Sequence, residues 1–311
     1  MTTGVTTAGA EKKFAAITGS TGLIGRVLVP ELARAGYACR RLVRRAALSE
    51  DEVEWSPDRG ALDPAGLEGV DVVIHLAGEN IAQRWTAARR RRILESRVNG
   101  TSLLVKTMAK LRRPPGVFVG VSAIGIYGDR GDEQLDESSR HGSDFLATVS
   151  DAWEGAAAPV TALGTRLATP RLGVVLSCDG GALARLLPFF QLGVGGRLGS
   201  GRQWMSWVSI SDVVRALLFT VATPSVSGPL NVVAPNPVDN AEFARVLARV
   251  LRRPALFPVP AIALALAFGD MAAGTILASQ RVRPRALLQA GFEFAYPTLE
   301  SALRAELGRR E

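Results

Sequence analysis

Ile17-Thr18-Gly19-Ser20-Thr21-Gly22-Leu23-Ile24-Gly25 is the stretch on which the reading of the fold turns. Phe14-Ala15-Ala16-Ile17 before the first glycine is a short apolar run of the kind that forms a buried strand. After it, Leu23, Val27, Leu28, Leu32 and Ala35 recur at helical spacing, and Gly36 supplies a helix stop. A strand, a tight glycine turn and a helix point several backbone N–H groups and the positive end of the helix dipole at one spot, which suits a pyrophosphate. Glycine is required there because a Cβ would block the phosphates or the helix–strand contact. The expected dinucleotide cradle is therefore Gly19, Ser20, Thr21, Gly22, Leu23, Ile24 and Gly25. The plainer alternative is an ordinary glycine-rich turn.

Working outward, strand-like and helix-like segments alternate through the first half, which predicts a parallel sheet with helices on both faces. Strands are expected at Tyr37–Val43, within Val70–Gly78, at Val117–Ser122, at Arg171–Leu176 and at Gly228–Val233. Helices are expected at Trp85–Arg97, Asn99–Leu111, Leu146–Ala158, Ile210–Val221 and from Asn240 through Leu251. Residues 179–205, with five glycines between Gly193 and Gly201, read as a loop-rich insertion, and Ala255–Ala278 as a buried helix too interrupted to span a membrane. The fold class is α/β: a Rossmann-type doubly wound parallel sheet with a smaller, mainly helical C-terminal substrate domain. The division expected is a loose tail over 1–13, a dinucleotide domain over 14–178 plus 206–233, and a substrate domain over 179–205 and 234–311.

Composition narrows the partners. The 311 residues are 47% hydrophobic, and Cys39 and Cys178 lie far apart with no CxxC, so neither a disulfide framework nor a metal site is expected and a reducing cytoplasm fits. The formal charge is +8, yet only Lys12, Lys13, Lys106 and Lys110 are lysine; the other basic residues are arginine. The run Arg89-Arg90-Arg91-Arg92 sits in an expected helix without interleaved aromatics, so no nucleic-acid partner is expected. The expected partner is a small-molecule substrate, with a homodimer left open.

The cofactor follows from the end of the second strand, Leu42-Val43-Arg44-Arg45, which has no carboxylate before Glu50. An acidic residue here binds ribose hydroxyls in NAD-preferring proteins and would repel a 2′-phosphate; a guanidinium binds that phosphate through forked hydrogen bonds. NADP(H) is therefore expected, on Arg44 and Arg45. The alternative is that both arginines are solvated surface charge.

Several motifs resemble the extended short-chain dehydrogenase/reductases, the group that contains nucleotide-sugar epimerases. They are Thr18-Gly19-x-x-Gly22-x-x-Gly25, Val73-Ile74-His75-Leu76-Ala77-Gly78, Val98-Asn99-Gly100-Thr101, Ser122 with Tyr127-Gly128, and Ser211-Asp212-Val213. Longer stretches resemble one atypical subgroup, called epimerase family or SulA-like: Ser122 through Glu133, Asp151-Ala152-Trp153-Glu154, Gly201 through Trp207, and Ser279 through Pro284 with Ala290-Gly291-Phe292. The resemblance implies that Leu76, Ala77 and Gly78 line the cofactor, with Glu79 and Asn80 facing the reaction centre, and that Arg97, in place of the family's Asn, alters a cofactor contact.

The family's acid/base set is missing. Tyr37, Tyr127 and Tyr296 lack Lys at +4, no lysine follows Lys110, the family's catalytic serine position holds Ala123, and the Tyr-x-x-x-Lys helix falls near Phe145–Val149. Tyr127 and Ser122 are the substitute candidates, each with a packing or capping role as the alternative. Gln203, Trp204 and Trp207 are candidate substrate contacts, against an inter-domain packing role. His75 reads as a packed histidine, and His141 lies in a polar loop with no evident partner. Two functions stay open: an NADP(H)-dependent oxidoreductase or epimerase-like enzyme, and an NADP(H)-binding sensor with little chemistry of its own.

Overall fold

The computed structural model describes residues 12–308; residues 1–11, most of the expected tail, lie outside them. The chain runs β1 (Lys13–Thr18), α1 (Leu23–Arg34), β2 (Tyr37–Val43), β3 (Glu52–Ser56), β4 (Ala61–Leu62), β5 (Val72–His75), α2 (Ala87–Met108), β6 (Val117–Gly120), β7 (Ser122–Ala123), β8 (Gln134–Leu135), α3 (Phe145–Ala157), β9 (Arg166–Leu172), β10 (Val174–Ser177) and α4 (Gly181–Gln191). It continues through β11 (Trp204–Met205), β12 (Trp207–Ser209), α5 (Ile210–Ala222), β13 (Gly228–Val232), β14 (Val238–Asp239), α6 (Asn240–Leu251), α7 (Ala261–Phe268), β15 (Arg281–Val282), α8 (Arg285–Gln289) and α9 (Leu299–Glu306).

The main sheet has the order β13-β9-β6-β5-β1-β2-β3-β4, with β7 also paired to β9. Its pairs are parallel except β3–β4. Alternation along the strands sends Ala15, Ile17, Val72, Ile74 and Val119 to one face, under Leu28 and Leu32 of α1 and Val213 and Leu217 of α5. Ala16, Val73 and Phe118 go to the other face, against Leu104 and Met108 of α2 and Ala157 of α3. A sheet covered on both sides by helices is the expected doubly wound α/β architecture. The strand order reverses between β1 and β5, so their carboxyl ends form the switch point at which such sheets bind ligands. A separate core gathers α4, α6 and α9 around Trp207.

Four local expectations are corrected. The two expected helices flanking Val98 are one, α2, because Asn99 and Gly100 do not break it; Gly100 is buried, and a Cβ there would approach Trp55 and His75 at 3.4–3.5 Å. The expected strand Arg171–Leu176 divides at Gly173, where a Cβ would lie 2.4 Å from the Ser206 carbonyl oxygen; β10 leaves the main sheet and pairs with β12. Residues 179–205 are not all loop, since α4 fills Gly181–Gln191 and buries Leu183, Leu187 and Phe190. Ala255–Ala278 is not a buried helix. Prolines hold 254–260 extended, α7 buries only Leu264, and Gly269, at φ 62°, ends it before a π-type turn at Ala272–Ile276. Among the described residues no helix is long and apolar enough to cross a membrane.

Candidate functional site

The switch point is built from backbone. Gly19 has φ 70°, a left-handed conformation that favours glycine, and its Cβ position lies 3.1 Å from the Ala77 amide nitrogen. A Cβ on Gly25 would lie 2.2 Å from the Gly19 carbonyl oxygen and 2.7 Å from Ser20 Cα, so the turn closes directly onto α1. Gly22 is the N-cap of α1, with no side-chain cap hydrogen bond and no acidic residue in the first turn. Thr21 and Gly22 are exposed, Gly19, Leu23 and Ile24 half-buried, and Ser20 and Gly25 buried. These seven residues thus present an open, uncapped helix N-terminus of the form that accepts a pyrophosphate.

The opposite lip is Leu76, Ala77 and Gly78 at the end of β5. Thr18 Oγ1 accepts hydrogen bonds from the Leu76 and Ala77 amides at 3.1 and 3.2 Å, so it docks this lip onto the glycine turn. Beneath the lip lies Arg97, whose Nη1 donates to the carbonyls of Glu79 (3.1 Å) and Ile93 (3.0 Å). Its guanidinium carbon sits over the Trp153 ring at 4.9 Å and 3.1 Å from the Cβ position of Gly78. Burial lowers its pKa to about 10, with Glu79 opposing. Arg97 supports the lip by backbone contacts. The Glu79 amide donates a hydrogen bond to Ser96 Oγ, and exposed Asn80 accepts one from the Ala82 amide.

The two arginines after β2 part company. Arg45 makes a two-pronged ion pair with Glu52, at 2.7 and 2.8 Å, which holds that carboxyl down to about 2. Arg44 is exposed, and no ion pair involves it among the described residues. Of the pair, Arg44 is the one with a free guanidinium.

Tyr127 was expected to face the crevice. It is instead fully buried. Its hydroxyl donates to Asn231 Oδ1 (2.7 Å) and accepts from Arg171 Nη1 (2.9 Å); burial raises its pKa, with Arg171 opposing. Arg171 also donates twice to Glu154, at 2.8 Å each, and to His141 Nε2 at 3.1 Å, while His141 Nδ1 meets Asp151 at 2.9 Å. The phenol is thus held by polar partners inside the fold, the packed state weighed against its candidacy as proton donor. Ser122 is buried opposite Arg171 in the β7–β9 register, and its hydroxyl has no partner. At the position of the family's Tyr-x-x-x-Lys, Phe145 and Val149 join Trp85, Ile93 and Met271 in an apolar cluster, with a Trp85–Phe145 edge contact at 5.0 Å.

The three expected substrate contacts each make hydrogen bonds within the fold. Trp207 is fully buried, its Nε1 bonded to the Asn236 carbonyl. Gln203 Nε2 donates to the carbonyls of Leu198 and Ile276. Trp204 Nε1 donates to Asp132 at 2.8 Å, with Arg281 over its ring at 4.2 Å. All three make contacts that join segments of the fold, and Trp204 is only half-buried. Among the described residues no group of acidic, His or Cys side chains could hold a metal.

Sequence reasoning missed the Arg171 network. Its signal was a charged residue inside the buried strand β9. It also missed the coupling role of Thr18, which had only its place before Gly19 to mark it.

Residues 15–150 match the NAD dependent epimerase/dehydratase family, and residues 259–306 match a domain of unknown function, DUF1731. An epimerase family protein of Mycobacterium bovis is 43% identical over 289 residues, covering 93% of this chain and 95% of the relative. Bacillus subtilis YfhF, another epimerase family protein, is 36% identical over 301 residues, covering 95% and 98%. The crystal structure of human epimerase family protein SDR39U1 (isoform2) with NADPH superposes with a TM-score of 0.86 at 32% identity, covering 95% of this chain and 99% of that one. A nucleoside-diphosphate sugar epimerase from Corynebacterium glutamicum superposes with a TM-score of 0.79 at 37% identity, covering 96% of this chain and 59% of that one. With relatives of this identity along nearly its whole length, an epimerase/dehydratase-type Rossmann fold and a DUF1731 segment after it, the chain belongs to the epimerase family that includes SDR39U1.

Proposed function

We propose that the chain binds NADP(H) at the switch point and acts as an oxidoreductase on a small carbonyl or alcohol substrate, without the Tyr–Lys proton relay of its extended relatives. The observation that carries the cofactor is the unpaired Arg44 at the end of β2, beside an Arg45 neutralised by Glu52. The N–H groups of Gly19–Gly25 hold the pyrophosphate, Arg44 takes the 2′-phosphate, and Leu76, Ala77 and Gly78 line the dinucleotide, with Arg97 fixing that lip. The bound nicotinamide supplies or accepts a hydride. Glu79 is the carboxylate nearest that lip in sequence and the residue placed to meet the substrate, with Asn80 beside it. The human relative crystallised with NADPH supports the choice of cofactor.

The test is a fluorescence titration with NADPH and NADH, on the native chain and Arg44→Glu. NADPH is expected to bind at least tenfold more tightly than NADH, a preference the variant abolishes. Equal affinities in the native chain would end the NADP(H) assignment.

A second reading, a non-catalytic NADP(H)-binding sensor, is favoured by Phe145 and Val149, apolar residues packed where the relay would stand. Turnover separates the two: cofactor-dependent reduction of any carbonyl substrate sustains the enzyme. Tight binding with no turnover across a broad carbonyl panel sustains the sensor.

A further inference from the structure

A second concave site lies away from the switch point. It is a groove of about 660 Å³ along the outer side of α6. Ala244 and Ala248 form its floor, and Ala255, Leu256 and Pro258 of the extended strap form one wall. The strap is pinned: Val259 donates to the Arg197 carbonyl at 2.9 Å, and the Phe257 carbonyl lies so close to Gly196 that a Cβ there would be 2.2 Å from its oxygen. Four arginines line the groove, Arg197, Arg245, Arg249 and Arg253, and no carboxylate does.

The charge balance of these four is uneven. Arg245 pairs with Glu242 on its own helix, and Arg249 reaches Glu300 at 3.4 Å, a carboxylate shared with Arg304 at 2.7 Å. Arg197 donates to the Ser200 carbonyl, and neither it nor Arg253 forms an ion pair among the described residues. The C-terminal dipole of α6 explains a basic residue in its last turn, Arg249, and favours Arg253 just beyond its end. It does not explain Arg245 in mid-helix or Arg197 on another segment. Small alanines under long arginine stems leave depth where larger residues would have closed the face.

We propose that this groove binds a phosphorylated small molecule of nucleoside diphosphate size, at a site distinct from the dinucleotide cradle. The volume lies in the range of small-molecule pockets and exceeds what one phosphate fills. Two arginines on α6, Arg245 and Arg249, with Arg253 beyond its end and Arg197 across the groove, suit more than one phosphoryl group. The alanine floor and exposed Leu256 offer a surface for a flat ring, on which an arginine plane also stacks. A short groove bounded by one strap differs from the continuous basic stripe that a nucleic-acid backbone needs.

The site is tested by calorimetric titration of the full chain with ADP, pyrophosphate and orthophosphate, all with saturating NADPH present. The probes are repeated on Arg197→Ser/Arg253→Ser, two exposed residues without ion pairs. ADP is expected to bind the native chain more tightly than pyrophosphate, and pyrophosphate more tightly than orthophosphate. The variant should weaken ADP by about tenfold or more and leave NADPH affinity and thermal unfolding unchanged. ADP binding that survives in the variant would place the ligand outside this groove and overturn the proposal. So would the absence of ADP binding, including the case in which only an oligonucleotide binds. Because NADPH is titrated separately, loss of the NADP(H) assignment would be seen independently of this result.

Discussion

Thr18 and His75 are joined by a hydrogen bond of 2.7 Å between Oγ1 and Nδ1, at the carboxyl ends of the two strands that flank the switch point. Thr18 Oγ1 already accepts from the Leu76 and Ala77 amides, so its own hydrogen goes to Nδ1. His75 is therefore neutral, with its hydrogen on Nε2. That nitrogen is buried without a hydrogen-bond partner, in a ring held edgewise to Trp55 and Trp153 at 6.0 and 6.2 Å.

A histidine so enclosed makes the fold acid-sensitive. Burial, and then the Arg97 charge, lower the His75 pKa from 6.5 to about 3. A depressed folded-state value means that the unfolded chain binds the proton first, so the stabilisation is fully present above pH 6.5 and is lost as pH falls towards 3. His75 alone should contribute a slope of about 1.4 kcal/mol per pH unit across that window. Urea unfolding of the native chain and of His75→Gln measures it: the variant should lose this slope. Imidazole NMR shifts should show His75 neutral at pH 5.

Thr18→Val tests the same contact from the other side. Valine keeps the shape but leaves the Leu76 and Ala77 amides without their acceptor. A loss of about 2 kcal/mol or more is expected, together with weaker NADPH binding, because the two lips of the cradle are no longer joined. Unchanged affinity in a destabilised variant would confine Thr18 to a folding role.

The parts of this site built from backbone were legible in the sequence, because glycine spacing records steric demands directly. Gly19, Gly22 and Gly25 announced the turn, and the alternation of strand-like and helix-like segments through the first half announced a sheet covered on both faces. The polar side chains were not legible, since their partners lie far away in the chain. Arg171 meets Tyr127 across 44 positions, and Tyr127 meets Asn231 across 104. The burial of Tyr127 and Ser122 was equally hidden in the sequence. Arg44 and Arg45 are adjacent and chemically equal; only the tertiary position of Glu52 separates them. The apolar run after Ala255 misled because hydrophobicity predicts burial only when something covers the face, and Ile262 and Leu266 remain 75% and 73% exposed.

Gly25→Ala should abolish nucleotide binding. The added carbon would sit 2.2 Å from the Gly19 carbonyl and 2.8 Å from the Ser20 carbonyl carbon, both backbone atoms, so the turn itself must shift. Gly36→Ala is the comparison. It has φ 86° and no neighbour within 4 Å of its Cβ position, so it should lose only about 1 kcal/mol through backbone strain and keep its affinity. NADPH titration of both variants checks this. Equal loss of affinity in both would mean that the Gly25 contact is not specific to the cradle.

The Arg171–Glu154 pair should be the most costly polar contact to break. Arg171 is 2% exposed, and the Glu154 hydrogen bonds raise its pKa against the opposing effect of burial. Glu154→Ala leaves a buried guanidinium with only Tyr127 and His141 as partners, which should cost about 3–5 kcal/mol. Glu154→Gln retains an acceptor and should cost less. Replacing both charges, Arg171→Met with Glu154→Leu, removes the unpaired ion and should recover much of the loss. Urea unfolding of the three variants orders them. If Glu154→Ala falls within 1 kcal/mol of the native chain, Arg171 is solvated and the network is not the closed unit described. If the order holds while NADPH affinity stays constant, the Arg171–Glu154 pair acts on the stability of the fold and not on the dinucleotide site.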